Sequence, residues 1–259
     1  MKKLVFLLII PLFLLGGFIT FRSIFKILNN GTGAPPYTFE DLEPPQADPY
    51  SWLKDWKRPE GPAKVGLQVG HWKNSELPDE LHRLRGNTGS SGGGKSEWEV
   101  NLAIAQATKE ILEEKDIDVD ILPATIPKGY WADVFLAIHA DGSTDFTKSG
   151  FKAASPRRDF SGKAPKLSEF IEKEYGLATN LNKDPNVTRN MQGYYAFAWW
   201  RYEHAVHPMT ASIILETGFL TNPTDRKIIV SRPEIPAKGI ASGIIRFLES
   251  ESLLSNGQN

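Results

Sequence analysis

The sequence predicts an α/β fold: a single domain with a sheet and helices on both faces, preceded by an N-terminal membrane segment and a Pro-rich linker. Three observations carry that expectation. Short apolar runs alternate with segments of helical period between Lys64 and Ser250, the pattern of strands joined by crossover helices. An uncharged apolar run, Leu4 to Phe21, follows Lys2 and Lys3 and stops at Arg22. Between the two lies a stretch holding Pro35-Pro36, Pro44-Pro45, Pro49, Pro59 and Pro62, a composition that stays extended and semi-rigid.

Residues 1–27 read as a signal-anchor or a signal peptide. A spanning helix needs roughly 17–25 residues, which Leu4–Phe21 just meets. No small-x-small cleavage site follows it, which favours an uncleaved anchor. Pro11 and Gly16-Gly17 weaken the helix and keep cleavage open. Either way the chain is expected outside the cytoplasm, on the outer face of the cytoplasmic membrane or secreted. Residues 28–63 then read as the linker, 64–250 as the catalytic domain and 251–259 as a polar tail.

Within the domain, Val65–Val69 reads as a strand. Glu97–Glu114 reads as a helix, with Val100, Ile104, Ala107 and Ile111 on one face. Ile117–Leu122 is a second strand, and Asp133–Ile138 a third, almost wholly apolar as a central strand is. Leu167–Tyr175 is helical and Ala211–Leu215 is a buried strand. Pro236–Leu248 closes the domain as a helix with Ile240, Ile244 and Phe247 inward.

Composition excludes several chemistries. Lys and Arg number 30 against 31 Asp and Glu, so no basic field calls for nucleic acid. There is no cysteine, which removes disulfides, thiol nucleophiles and Cys-ligated zinc. A metal site must come from His, Asp and Glu. Gly89 to Ser96 fits the phosphate-loop pattern of G, four residues, G-K-S. That motif should follow a buried strand, whereas the polar Leu81–Asn87 precedes it. No nucleotide is expected, and the segment reads as a flexible Gly/Ser loop.

Three polar residues end apolar strands: His71, His139 and Glu216. Sites in open α/β sheets gather beyond the carboxyl ends of strands. A fourth residue comes from a helix start. Ser96 and Glu99 have capping-box spacing, which gives Glu99 a structural task and leaves Glu97 free to point elsewhere. Each residue alone has an ordinary reading, as a loop histidine, a favourable charge at a helix N-terminus or a turn cap. Together, two His and one Glu around an open position form a catalytic zinc arrangement. His71, Glu97 and His139 are then the ligands of Zn2+, and Glu216 the general base.

Gly70-His71, the glycine-rich approach to Glu97, Ile138-His139-Ala140-Asp141 and Glu216-Thr217-Gly218-Phe219-Leu220-Thr221-Asn222 occur in that order. Gly150-Phe151 adds a Gly-aromatic strand start. This set resembles the zinc-dependent N-acetylmuramoyl-L-alanine amidase family over nearly all of Lys64–Leu248. The resemblance implies a mixed twisted sheet flanked by helices, zinc on His71, Glu97 and His139, a catalytic Glu216, peptidoglycan as substrate and cleavage between N-acetylmuramic acid and L-alanine. A cell-wall-binding module on the same fold without turnover is the alternative, which has no need of all four residues. The chain departs from the family pattern at Gln68-Val69, where Asp-Pro is usual, and in the short Leu122–Pro127, which lacks the usual arginines.

Tyr194-Tyr195 and Trp199-Trp200 form an aromatic cluster, suited to core packing or to a substrate-facing wall. His204 and His207 lack an evident third ligand, which points to a surface or substrate-side role.

Overall fold

The computed structural model describes residues 50–254. The expectations for the apolar run and for most of the linker and tail lie outside them. Among the described residues, no helix is long and apolar enough to cross a membrane. Residues 50–56 fall in a separate unit and contain one 3-10 turn, Ser51–Leu53.

The folded unit starts at Lys57, earlier than the Pro-rich composition suggests. Arg58 explains why. Its guanidinium donates to Asp133 at 2.7 and 2.8 Å and to the carbonyls of Pro59, Gly61 and Pro62. Asp133 also accepts from the Lys64 N–H. It is therefore a clamp between segments, and the strand predicted to begin there begins at Val134.

The sheet has the order β4-β1-β5-β7-β6. Strands β1 (Lys64–Val69), β4 (Asp118–Leu122), β5 (Val134–Asp141) and β7 (Ala211–Phe219) are parallel. Strand β6 (Lys152–Ala154) pairs antiparallel with β7, so the sheet is mixed, as expected. Strands β2 (Ser91–Gly92) and β3 (Lys95–Ser96) form a separate hairpin. Gly89–Ser96 is thus no loose loop. The hairpin lies against Leu220 and Arg226.

Among the described residues, the long helices do not cover both faces. The long helices α1 (Glu97–Glu113), α2 (Ala164–Thr179) and α5 (Glu234–Ser250) share one core with Val65, Leu67, Leu136, Ile138, Ile213 and Leu215. Alternation sends Phe135, Ala137 and Ile214 to the opposite face. There they meet Ile126, Tyr130, Met191, Phe197 and Val206, which come from loops, the short α3 (Arg189–Gln192) and a 3-10 turn, Tyr195–Phe197. Sequence period shows that a strand is buried on both sides but not what buries it. Both faces are well filled. Ile104 and Leu136 are fully buried, and truncating such a side chain to Ala costs about 2–5 kcal/mol.

Helix ends follow local chemistry. Ser96 and Glu99 close the capping box at the start of α1. Asn222 caps the short α4 (Pro223–Ile229) through the Thr224 and Asp225 N–H groups. Asp225 then accepts from Phe219 N and Gly150 N, joining the end of β7 to the start of β6. At the other end, the Leu253 N–H bonds Leu248 and both Leu253 and Leu254 pack on the core, so ordered chain extends past the predicted tail boundary.

Candidate active site

The loop-covered face carries the chemistry. Strand β5 runs on to Asp141, so His139 sits within the strand, on the same side as Phe135 and Ala137. Glu216 likewise lies inside β7, paired in register with His139 on one side and Lys152 on the other. His71 follows β1 with φ at 63°, an uncommon conformation for a residue with a side chain and one that recurs at functional sites. Glu97 opens α1 and turns inward, 3 % exposed, while Glu99 stays in the cap.

The structure brings His71, Glu97 and His139 together. Their candidate donor atoms all lie within 4.8 Å of one another. Glu97 Oε1 is 3.0 Å from His139 Nδ1 and 3.5 Å from His71 Nε2. Zinc bonds of about 2.0–2.1 Å at tetrahedral angles separate ligands by about 3.3 Å. The donor set therefore fits a zinc ion. The other atoms of the triad are held as well. His71 Nδ1 faces the Asn87 carbonyl at 2.9 Å, which leaves Nε2 for a ligand role. Glu97 accepts from the Ser90 N–H at 2.7 Å and the Ala140 N–H at 3.1 Å.

Burial alone would raise the pKa of Glu97. The hydrogen bond and charge of His139, the charge of His71 and the Ser90 N–H outweigh it and hold the carboxyl down to about 2. His71 is lowered, chiefly by burial. His139 feels burial in the same sense, but the Glu97 carboxylate reverses it and the pKa is raised. Glu216 is the opposite case to Glu97. Burial, with Glu97 and Asp141 nearby, pushes it up to about 8 against the opposing pull of His139 and Lys152. Its Oε2 is buried without a hydrogen-bond partner. A carboxyl so placed is poised to take and release a proton near neutral pH.

Two residues lie behind the candidate metal ligands: Gln68, which the sequence marks only as a departure from the family pattern, and Tyr194, which it offers as core packing or a substrate-facing wall. Tyr194 meets His139 Nε2 at 3.2 Å and donates to Gln68 Oε1 at 2.9 Å. Gln68 is fully buried on β1. The available signal was that residue itself, a lone polar side chain in an apolar strand. The aromatic cluster divides. Tyr194 and Tyr195 line the main cleft, whereas Trp199 and Trp200 pack edge to face with each other, as Trp199 does with Phe160. His204 and His207 do not join the metal cluster. His204 Nδ1 pairs with Glu80 at 2.7 Å.

The cleft has a volume of about 640 Å3 and is bordered by His71, His139, Tyr194, Tyr195, Arg83 and Arg201. Beside Glu216, the buried Lys152 ammonium bridges Asp141 at 2.6 Å and Asp184 at 2.9 Å. Both partners hold Lys152 in its charged form although burial opposes it.

A buried carboxylate flanked by two imidazoles, with a second carboxyl one strand away and an open cleft in front, is the equipment of a metal-dependent hydrolase. Residues 65–246 match the Amidase_3 family, described as N-acetylmuramoyl-L-alanine amidase, and the chain belongs to that family. It is thereby a peptidoglycan amidase, acting on the amide bond between N-acetylmuramic acid and L-alanine. Solved structures share the fold. An N-acetylmuramoyl-L-alanine amidase from Clostridium difficile 630 aligns with a TM-score of 0.55 at 18% identity, over 74% of this chain and 100% of that one. AmiC2 of Nostoc punctiforme gives 0.53 at 19%, over 74% and 99%. Ami1 from Mycobacterium smegmatis gives 0.53 at 15%, over 73% and 97%. No curated protein sequence matches the chain.

Proposed function

We propose that the amidase is zinc-dependent, with His71, Glu97 and His139 as ligands and Glu216 as the group that moves the proton. The observation that carries this reading is the convergence of the three donors within 4.8 Å one strand away from Glu216. When bound, zinc supplies Lewis-acid polarisation of the scissile carbonyl and activation of the attacking water. Glu216 accepts a proton as water adds to the carbonyl carbon. It then delivers that proton to the nitrogen as the C–N bond breaks and the L-alanine amine departs. Tyr195, Tyr202, Arg83 and Arg201 on the cleft walls offer aromatic faces to sugar rings and cations to stem-peptide carboxylates.

We also propose, from the apolar run that follows Lys2 and Lys3, that the enzyme works outside the cytoplasm, tethered through Leu4–Phe21. Fractionation with N-terminal sequencing checks it: a mature N-terminus between Gly17 and Asn30 in a soluble pool would remove the tether but leave the amidase. For the chemistry, purified chain is incubated with peptidoglycan and the fragments are weighed by mass spectrometry. New free L-alanine amines and intact disaccharides are expected. Glu216→Gln should keep zinc and lose about 100- to 10,000-fold in rate. Zinc-free wild-type protein at full activity, or a Glu216→Gln variant at near-normal rate, would overturn the mechanism. Zinc-loaded wild-type protein that releases no fragments would favour a wall-binding module.

A further inference from the structure

A chain of hydrogen bonds runs inward from His139 and ends on a backbone carbonyl. Ala124 is buried, and its N–H is tied to the Trp72 carbonyl at 2.9 Å. Its own carbonyl accepts from Gln68 Nε2 at 3.1 Å and from the Tyr195 hydroxyl. A carbonyl can only accept, so each donor along the chain is determined in turn. The Tyr195 proton is committed to Ala124, and its oxygen receives Gln68 Nε2–H at 2.7 Å. That fixes the orientation of the Gln68 amide, with Nε2 toward Ala124 and Oε1 toward Tyr194. An amide oxygen also can only accept, so the Tyr194 hydroxyl donates to it, at 2.9 Å. The Tyr194 oxygen is then left as an acceptor toward His139 Nε2, 3.2 Å away.

We propose that Tyr194 and Gln68 are positioning residues that keep His139 Nε2 protonated, so that Nδ1 alone faces Glu97 and serves as the metal-ligating atom. The inference rests on the zinc reading above for its consequence but not for its geometry. A histidine free to choose its tautomer would spend part of its time with the wrong nitrogen protonated, and metal affinity would fall by that fraction. Outer partners of this kind are worth about 10- to 100-fold in metal affinity. In most proteins the task falls to a carboxylate or a backbone carbonyl. Here a neutral hydroxyl performs it, and its polarity is set by a carbonyl two hydrogen bonds away.

The test uses the full chain, labelled with 15N at histidine, with and without zinc. His139 Nε2 should carry its proton in both forms, and only Nδ1 should change on adding zinc. Tyr194→Phe keeps the ring and should weaken zinc binding about 10- to 100-fold in competition with a chelator. Gln68→Met removes the acceptor of the Tyr194 proton, lets that hydroxyl turn toward His139, and should weaken zinc similarly. Tyr195→Phe leaves the direct Gln68–Ala124 bond and should change zinc affinity by no more than a few-fold. Unprotonated Nε2 in the wild-type protein would overturn the proposal, as would Tyr194→Phe and Gln68→Met variants with wild-type affinity, or a Tyr195→Phe loss as large as theirs. Wild-type protein that binds no zinc would instead overturn the zinc reading, while Nε2 protonation would still be read in the metal-free form.

Discussion

The imidazole of His139 rests against Gly70, so closely that a Cβ on that glycine would lie 2.5 Å from Cε1 and 2.6 Å from both ring nitrogens. The Gly-His pair therefore does two things at once. His71 supplies a donor, and the glycine before it makes the space in which the other histidine stands.

Gly70→Ala should consequently displace His139 while leaving the rest of the sheet in place. A misplacement of about 1 Å at a reacting centre costs on the order of 100-fold. The expected result is roughly that loss in kcat/KM on peptidoglycan fragments, together with weaker zinc retention after dialysis. A fully active Gly70→Ala enzyme would show that the ring has room to move.

The two carboxylates at the start of α1 should separate cleanly. Glu97→Gln removes a buried ligand and should abolish stoichiometric zinc. Glu99→Gln keeps a side chain that closes a capping box, so zinc content and rate should stay near wild type. Metal analysis of the two purified variants decides it, and the reverse result would exchange their roles.

Zinc should also stabilise the fold, because the ligands come from three separated segments. With free zinc at 100 times its Kd, linkage gives about 2.7 kcal/mol. At about 2–4 °C per kcal/mol for a domain of this size, chelation should lower Tm by roughly 5–10 °C. His71→Ala should remove most of that difference, as read by differential scanning calorimetry with and without chelator.

Glu80 provides a pH signature in the cleft wall. Its carboxylate accepts from Glu203 N at 3.0 Å, His204 N at 2.9 Å and His204 Nδ1 at 2.7 Å. Burial raises its pKa, but those donors outweigh it and the value falls below the ordinary one. A lowered folded pKa means a contribution complete above the unfolded value, about 4.3, and lost as pH falls through the folded value. Denaturant stability should therefore decline more steeply below about pH 5 in wild type than in Glu80→Gln. Parallel pH profiles would show that the contact contributes nothing to folding.

Much of the site is legible from position along the chain. His71, His139 and Glu216 stand at or near the ends of apolar runs, and such runs are strands whose ends open on a cleft. Glu97 is separated from Glu99 by capping-box arithmetic alone. Gln68 and Tyr194 escape that reasoning because their meaning lies in partners 126 residues apart in sequence. The hairpin at Gly89–Ser96 escapes for a related reason. Its glycines look like flexibility, yet Gly89, at φ 70°, makes room for the Glu97 carboxylate and the His71 ring.

The sequence by itself determined the main strands, the long helices and the set of candidate donors, because periodicity and capping act over a few residues and leave a local trace. Only the tertiary structure decided that the long helices share one face and that the chemistry stands on the other. The parity of β1, β5 and β7 puts Gln68, His139 and Glu216 on the side covered by loops, and loops leave a cleft where packed helices would have filled it. The tertiary structure likewise decided which nitrogen of His139 faces Glu97. That choice is made by hydrogen-bond donors and acceptors reaching across 55 and 126 residues of chain, distances over which no local pattern carries information.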